Sequence, residues 1–337
     1  MSRTPSAPSR EALARLESWP RQPLADLPTR LLAADNLVRS LGASCPRVYV
    51  KMDADTGLGL GGNKARKLEH ELAPDRIAGV THVITTGGPQ SNHCRMTAAA
   101  AAFLGRRCVL VINGTVDGPP RGNALLQRLF GAEIRTVAGR PDRAPAMEEA
   151  AREIAAAGGK ALLVPLGAST PLGSLGYARA AVELDAQLAE LPPSPRTWVF
   201  LSSSSCGTLA GLLLGFSLLE RDDVRLVGVS ADTPADEMRH DAVRLAADAG
   251  ALLGWKGRLL ADAMSCDDSQ VGEGYGIPTP ASDEAARVFA TKAGMVLDPF
   301  YTAKAAAGML AWIRAGRVPA GDRVVFVHTG GHPALLA

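Results

Sequence analysis

The chain has 337 residues, 47% of them hydrophobic, which exceeds the usual size of one domain and predicts two units sharing a site. Its 36 lysines and arginines against 34 aspartates and glutamates leave a net charge of +2, so there is no electrostatic case for nucleic acid or an anionic membrane, and a small-molecule partner is expected. Five cysteines, Cys45, Cys94, Cys108, Cys206 and Cys266, contain no CxxC pair; they suit neither a disulfide framework nor a metal site, and predict a reducing compartment, the cytoplasm.

The chain opens on an arm with an amphipathic helix near residues 10–18, without the apolar core of a signal peptide. Strand-length apolar runs follow at 47–51, 82–85, 108–112, 161–165, 198–201, 225–229 and 324–327. Most are continuous rather than alternating, as in strands buried on both faces. Helical segments at 63–72, 92–104, 123–130, 145–157, 175–191, 208–219 and 282–292 lie between them, a succession that predicts parallel α/β sheets. The most apolar of these, 208–219, is too short for a membrane span of about 20 residues.

Three times an apolar strand ends in a loop of small residues: Thr85-Thr86-Gly87-Gly88-Pro89-Gln90-Ser91-Asn92-His93, Ser202-Ser203-Ser204-Ser205-Cys206-Gly207-Thr208, and His328-Thr329-Gly330-Gly331-His332. In open α/β sheets, ligands sit at the carboxyl ends of strands, where backbone N–H groups attract anions; three such loops point to one anionic ligand. The serine-rich loop suits a phosphate, with its hydroxyls and the amides of Gly207 and Thr208 as donors. The Ser91-Asn92-His93 amides suit a carboxylate, and Asn92 is also a candidate helix cap. Gly57, Gly59 and Gly62 formally satisfy GxGxxG, but Asp53 to Thr56 separates them from the preceding strand, as a dinucleotide fold would not.

Taken together, Gly61-Gly62-Asn63-Lys64 with Arg66-Lys67-Leu68-Glu69, Gln90-Ser91-Asn92-His93, Gly274-Tyr275-Gly276-Ile277-Pro278, Asp298-Pro299-Phe300-Tyr301-Thr302 and His328-Thr329-Gly330-Gly331 resemble the 1-aminocyclopropane-1-carboxylate deaminase and D-cysteine desulfhydrase family. The resemblance implies an α/β, fold-type II (tryptophan synthase beta-like) enzyme: two open twisted parallel-sheet domains with pyridoxal 5'-phosphate in the cleft. It implies a large domain from 1–65 and 171–337, a smaller inserted one from 66–170, and a homodimer. By the same resemblance Lys64 carries the cofactor and Asn92 contacts its ring hydroxyl. Ser203, Ser204, Ser205, Cys206, Gly207 and Thr208 hold its phosphate, and Thr329 lies at its ring. Ser91, Tyr275 and Tyr301 face the substrate as catalytic groups, with Asn92, His93 and Thr302 also contacting it. Lys67, one turn after Lys64, is expected on a solvated helix face. Met52, Ala54, Met96 and Ser204 depart from the family pattern, and Met96 is expected to make the substrate pocket less polar.

Two positions separate the branches. Ring-opening deaminases of the family carry glutamate and leucine where Thr302 and Thr329 stand, as in D-cysteine desulfhydrases. The expectation is therefore β-elimination and deamination of a small β-substituted amino acid, D-cysteine giving pyruvate, ammonia and sulfide. Cysteate cleavage and ring opening of 1-aminocyclopropane-1-carboxylate are the alternatives within the family; a non-catalytic amino-acid or cofactor binder and a nicotinamide oxidoreductase are those outside it.

Overall fold

The computed structural model describes residues 4–114 and 118–337; positions 1–3 of the expected arm lie outside them. Ten strands occur among the described residues: Leu31–Ala33 (β1), Arg47–Lys51 (β2), His82–Gly87 (β3), Arg107–Asn113 (β4), Glu133–Val137 (β5), Ala161–Leu163 (β6), Thr197–Ser203 (β7), Val224–Ser230 (β8), Met264–Asp267 (β9) and Arg323–Val327 (β10). They form a six-stranded sheet in the order β1-β2-β10-β7-β8-β9 and a four-stranded sheet in the order β5-β4-β3-β6. Every pairing is parallel except that of β1 with β2.

The large sheet draws on both ends of the chain, since β10 lies between β2 and β7 with Val325 opposite Tyr49 and Val199. Its two faces pack different cores. Val199, Leu201 and Val325 face helices Pro171–Ala189 and Gly207–Leu218; Phe200, Val227 and Phe326 face helices Pro280–Ala293 and Thr302–Arg314. A strand covered on both faces has no solvent face to alternate towards, which is why these segments read as continuous apolar runs. Helix Gly207–Leu218 is buried at every residue, as a helix apolar all round must be.

The small sheet alternates in the same way, with Val83 and Leu110 in one core and Ile84, Val109 and Val111 in the other. Two edge strands went unread in the sequence. β5, Glu-Ile-Arg-Thr-Val, is partly exposed and polar at alternate positions, and β1 has only three residues. Helices Asp35–Leu41, Ala235–Leu252 and Thr302–Arg314 were likewise not anticipated. No helix among the described residues is long and apolar enough to cross a membrane.

Candidate active site

The carboxyl ends of β3, β7 and β8 open onto one cleft, which also receives the start of helix Lys64–Glu71. Counted out to its mouth it holds about 830 Å³, within the range that takes a cofactor and a small ligand together. The glycine loop before Lys64 is set by close backbone approach. Gly61 has φ +69°, and a Cβ there would lie 1.8 Å from the Ala54 carbonyl oxygen. Buried Arg95 fastens the loop from the far side, donating to the Gly61 carbonyl at 2.9 Å and also to that of Gly59. Asn63 then joins three loops: its N–H donates to Thr329 O at 2.9 Å, its Nδ2 to Thr208 Oγ1 at 3.0 Å, and its Oδ1 accepts from Lys64 Nζ at 2.8 Å. Burial, reinforced by the Arg95 charge and opposed by Asp298, brings the Lys64 amine down to about 8.

Lys67 does not lie on a solvated face. It is 1% exposed, and its Nζ donates to Ser169 Oγ at 3.0 Å, which in turn meets Ser205 Oγ at 2.8 Å. The helix packs against Pro171–Ala189, so the turn after Lys64 points inward with it. Burial first, then the Lys64 charge, holds the Lys67 amine well below its ordinary value. Gly207 closes this corner: a Cβ would fall 2.7 Å from Ser169 Oγ, and its N–H donates to Ser205 O at 2.8 Å rather than standing free. The left-handed Cys206 (φ 62°) turns its thiol away to the Met238 carbonyl at 3.5 Å, so of this residue only the backbone faces the loop. Ser203 is buried at the strand end and Ser204 Oγ donates to Asp232 at 2.6 Å.

On the opposite wall, Ser91 rather than Asn92 caps helix Asn92–Phe103, its Oγ accepting from Cys94 N at 3.2 Å. The first-turn amides of Asn92 and His93 consequently have no partner within the helix. Asn123 clamps the loop, donating to Gln90 O at 2.8 Å and Asn92 Oδ1 at 2.9 Å. His93 Nε2 meets Thr85 Oγ1 at 2.8 Å; because that hydroxyl donates to Val164 O at 2.7 Å, the imidazole is the donor. Burial and the charges of Lys64 and Lys67 keep His93 neutral.

Tyr275 and Tyr301 meet hydroxyl to hydroxyl at 2.5 Å over the mouth. Tyr301 opens helix Thr302–Arg314, whose start is held by fully buried Asp298. That carboxylate accepts from the N–H groups of Phe300, Tyr301 and Thr302 at 3.0, 2.9 and 3.0 Å, and from Thr302 Oγ1 at 2.7 Å. Thr302 is thus a fully buried capping residue whose hydroxyl also accepts from Asp298 N, and not the substrate contact expected of it. Thr329 is buried beside Asn63 behind the cleft wall. Met96 is 0% exposed in the small core, so it does not alter the pocket; its sulfur lies 3.1 Å from where a Gly62 Cβ would stand.

The cleft therefore gathers Lys64, Ser91, Asn92, His93, Ser203, Ser204, Ser205, Cys206, Gly207, Thr208, Tyr275 and Tyr301. It adds Lys67, Arg140, Arg143 and Asp232, which no sequence spacing singled out. Lys67 could have been found from its i+3 position, which puts it on the same face as Lys64. A corner of hydroxyls, a buried ammonium bonded to a serine, and a glycine that a Cβ would clash with fits a phosphate; the lowered Lys64 amine at the other end fits an aldehyde. Among the described residues no cluster of side chains suits a metal ion.

Residues 23–330 match the family described as pyridoxal-phosphate dependent enzyme. Relatives named 1-aminocyclopropane-1-carboxylate deaminase include that of Ralstonia nicotianae, 36% identical over 331 residues, covering 96% of this chain and 97% of the relative. That of Burkholderia vietnamiensis is 37% identical over 332 residues with the same coverages. A solved structure described as an ACC deaminase homologue has a TM-score of 0.86 at 34% identity, covering 97% of this chain and 96% of that one. An L-serine ammonia-lyase from Rhizomucor miehei, 18% identical with a TM-score of 0.63, shares the fold.

Proposed function

Since the chain belongs to the pyridoxal-phosphate-dependent enzymes, and among them to the 1-aminocyclopropane-1-carboxylate deaminase family, we propose that it eliminates a substituent from the β-carbon of a small amino acid, as a D-cysteine desulfhydrase does. The products are a 2-keto acid, ammonia and the departed group, here sulfide. Pyridoxal phosphate, when bound, supplies an electron sink for a bond broken at Cα. The protein groups choose the bond. Lys64 holds the cofactor and then takes the Cα proton at its Nζ; an amine at about 8 has a substantial neutral fraction near pH 7 and serves as base. The amides of Asn92 and His93 and the Ser91 hydroxyl hold the substrate carboxylate, Asn92 orients the ring hydroxyl, and Ser205, Thr208 and Lys67 hold the phosphate. The Tyr275–Tyr301 pair moves a proton at the departing group.

The observation that carries β-elimination is Thr302. Its hydroxyl is spent on Asp298, and Asp298 is spent on three amides, so this corner offers no carboxylate to keep a ring nitrogen protonated. A weaker electron sink suffices for a substrate that has a Cα hydrogen. Ring opening of 1-aminocyclopropane-1-carboxylate is the second reading, favoured by the names of the relatives. Keto-acid release from D- and L-cysteine, cysteate, β-chloroalanine and the cyclopropane decides between them. Faster release from the cyclopropane than from every β-substituted amino acid overturns the proposal. We extend the reading to a cytoplasmic homodimer whose subunits divide at 66–170. Light scattering on the purified protein checks the dimer.

A further inference from the structure

The cleft wall carries more positive charge than cofactor and amino acid require. Its cations are Lys64, Lys67, Arg140 and Arg143, and Asp232 is its one carboxylate among the described residues. Lys67 serves the serine corner and the Ser91 loop serves the α-carboxylate. Asp232 is shared by Ser204 and by Arg140, the latter at 3.6 Å. Arg143 is left over. It is half-buried; one guanidinium nitrogen donates to the neutral Asn113 amide, and its Nε is buried without a partner. No carboxylate lies within ion-pair distance of it among the described residues, and Arg140 repels it. It is also the first residue of the 14-residue helix Arg143–Ala156, whose positive end disfavours a cation. A guanidinium kept in a cleft under those conditions is stabilised only when an anion arrives. Arg140 stands behind it, 5.6 Å over the Tyr275 ring, beside the hydroxyls assigned to the departing group.

We infer that Arg143, with Arg140, seats an anionic group borne on the substrate's β-carbon, so that the preferred substrates are acidic amino acids whose leaving group departs as an anion. The inference rests on the β-elimination reading. For a sulfonate-bearing alanine, the Cα proton goes to Lys64 and the Cβ–S bond breaks with its electron pair leaving on sulfur as sulfite. Water then replaces the nitrogen, giving pyruvate and ammonia.

The test compares cysteate with β-chloroalanine, which is neutral at its β-carbon, in the holoenzyme and in Arg143→Gln, Arg143→Lys and Arg140→Gln. We expect the wild type to favour cysteate. In Arg143→Gln the ratio of the two kcat/KM values should fall about 10- to 100-fold, the loss typical of a charge-assisted bond. Arg143→Lys should recover part of it, and exposed Arg140→Gln should lose about two- to fivefold. Calorimetric titration with methanesulfonate should show weaker binding in Arg143→Gln by a similar factor. Equal loss on both substrates would assign Arg143 to the α-carboxylate and overturn the inference, as would an unchanged ratio or sulfonate binding that ignores Arg143. If no β-substituted amino acid yields keto acid, the parent reading fails, while the methanesulfonate titration still decides Arg143.

Discussion

Two lysines a single turn apart divide one cofactor between them. Lys64 bonds Asn63, and Lys67 reaches Ser169 in the hydroxyl corner, so the reactive aldehyde end and the phosphate end each meet one amine. Borohydride trapping and peptide mapping should find the cofactor on Lys64, with Lys64→Ala losing attachment and turnover; a trapped Lys67 would reverse the roles. Lys67→Ala should keep attachment but weaken cofactor affinity by about 1.5 to 3 kcal/mol, the range for hydrogen bonds to a charged group. Equilibrium dialysis against cofactor measures it, and unchanged affinity would place the phosphate elsewhere. Because burial favours the neutral Lys64 amine, coupling of added cofactor to the apoenzyme should accelerate as pH rises, with a midpoint near 8. A midpoint at the ordinary lysine value of about 10.4 would mean that the amine is solvated.

The element that presents the tyrosines is assembled from one helix start and one irregular loop. Asp298 caps helix Thr302–Arg314, and one turn into it fully buried Lys304 donates to the carbonyls of Val271 and Gly274 at 2.7 and 3.0 Å. The segment carrying Tyr275 has no strand or helix between Asp267 and Pro280, so this ammonium stands in for secondary structure. Lys304→Met should loosen the segment at a cost of about 1 to 3 kcal/mol and lower kcat more than it lowers cofactor affinity. Hydrogen exchange at residues 271–275 reads the loosening directly; unaltered exchange would show that other contacts hold the loop. Thr302 was legible as a position that distinguishes family branches. Its spending on a cap was not, because a cap depends on which carboxylate folds back to it.

Across the whole molecule, the helix that begins at Lys64 is anchored to the large sheet by a buried charge network. Arg66 pairs with Asp53 at 3.0 Å and Glu183 at 2.8 Å, Lys51 reaches Glu183, and Tyr177 donates to Asp53 at 2.5 Å. Burial alone would raise the pKa values of Asp53 and Glu183; Arg66 and Lys51 outweigh it and hold both below their ordinary values. A depressed carboxyl pKa stabilises the fold fully above the unfolded value of about 4, and that stability is lost as pH falls through the folded value. Acid unfolding should therefore begin below about pH 4. Asp53→Ala should cost on the order of 3 kcal/mol by leaving Arg66 undercompensated. Denaturant melts of wild type and variant across pH 3 to 7 check both, with an acid-insensitive wild type or a neutral substitution counting against the network.

From the sequence alone came the alternation of buried strands with helices, the three small-residue loops, and Lys64 at the end of a glycine run. These rest on local chemistry, since a doubly covered strand is apolar throughout and a loop that approaches a ligand must be small. The short or polar strands β1, β5 and β9 were hidden because an edge strand has water on one side and carries no continuous apolar run. The tertiary structure decided that Lys67 is buried, that Met96 belongs to the core, and that Thr302 and Cys206 turn away from the cleft. It also brought Arg140 and Arg143 from the small sheet to face Asp232, Tyr275 and Tyr301 from the large one. Each of these outcomes depends on a partner far away in the chain, and the direction in which a side chain points is fixed only when that partner is in place.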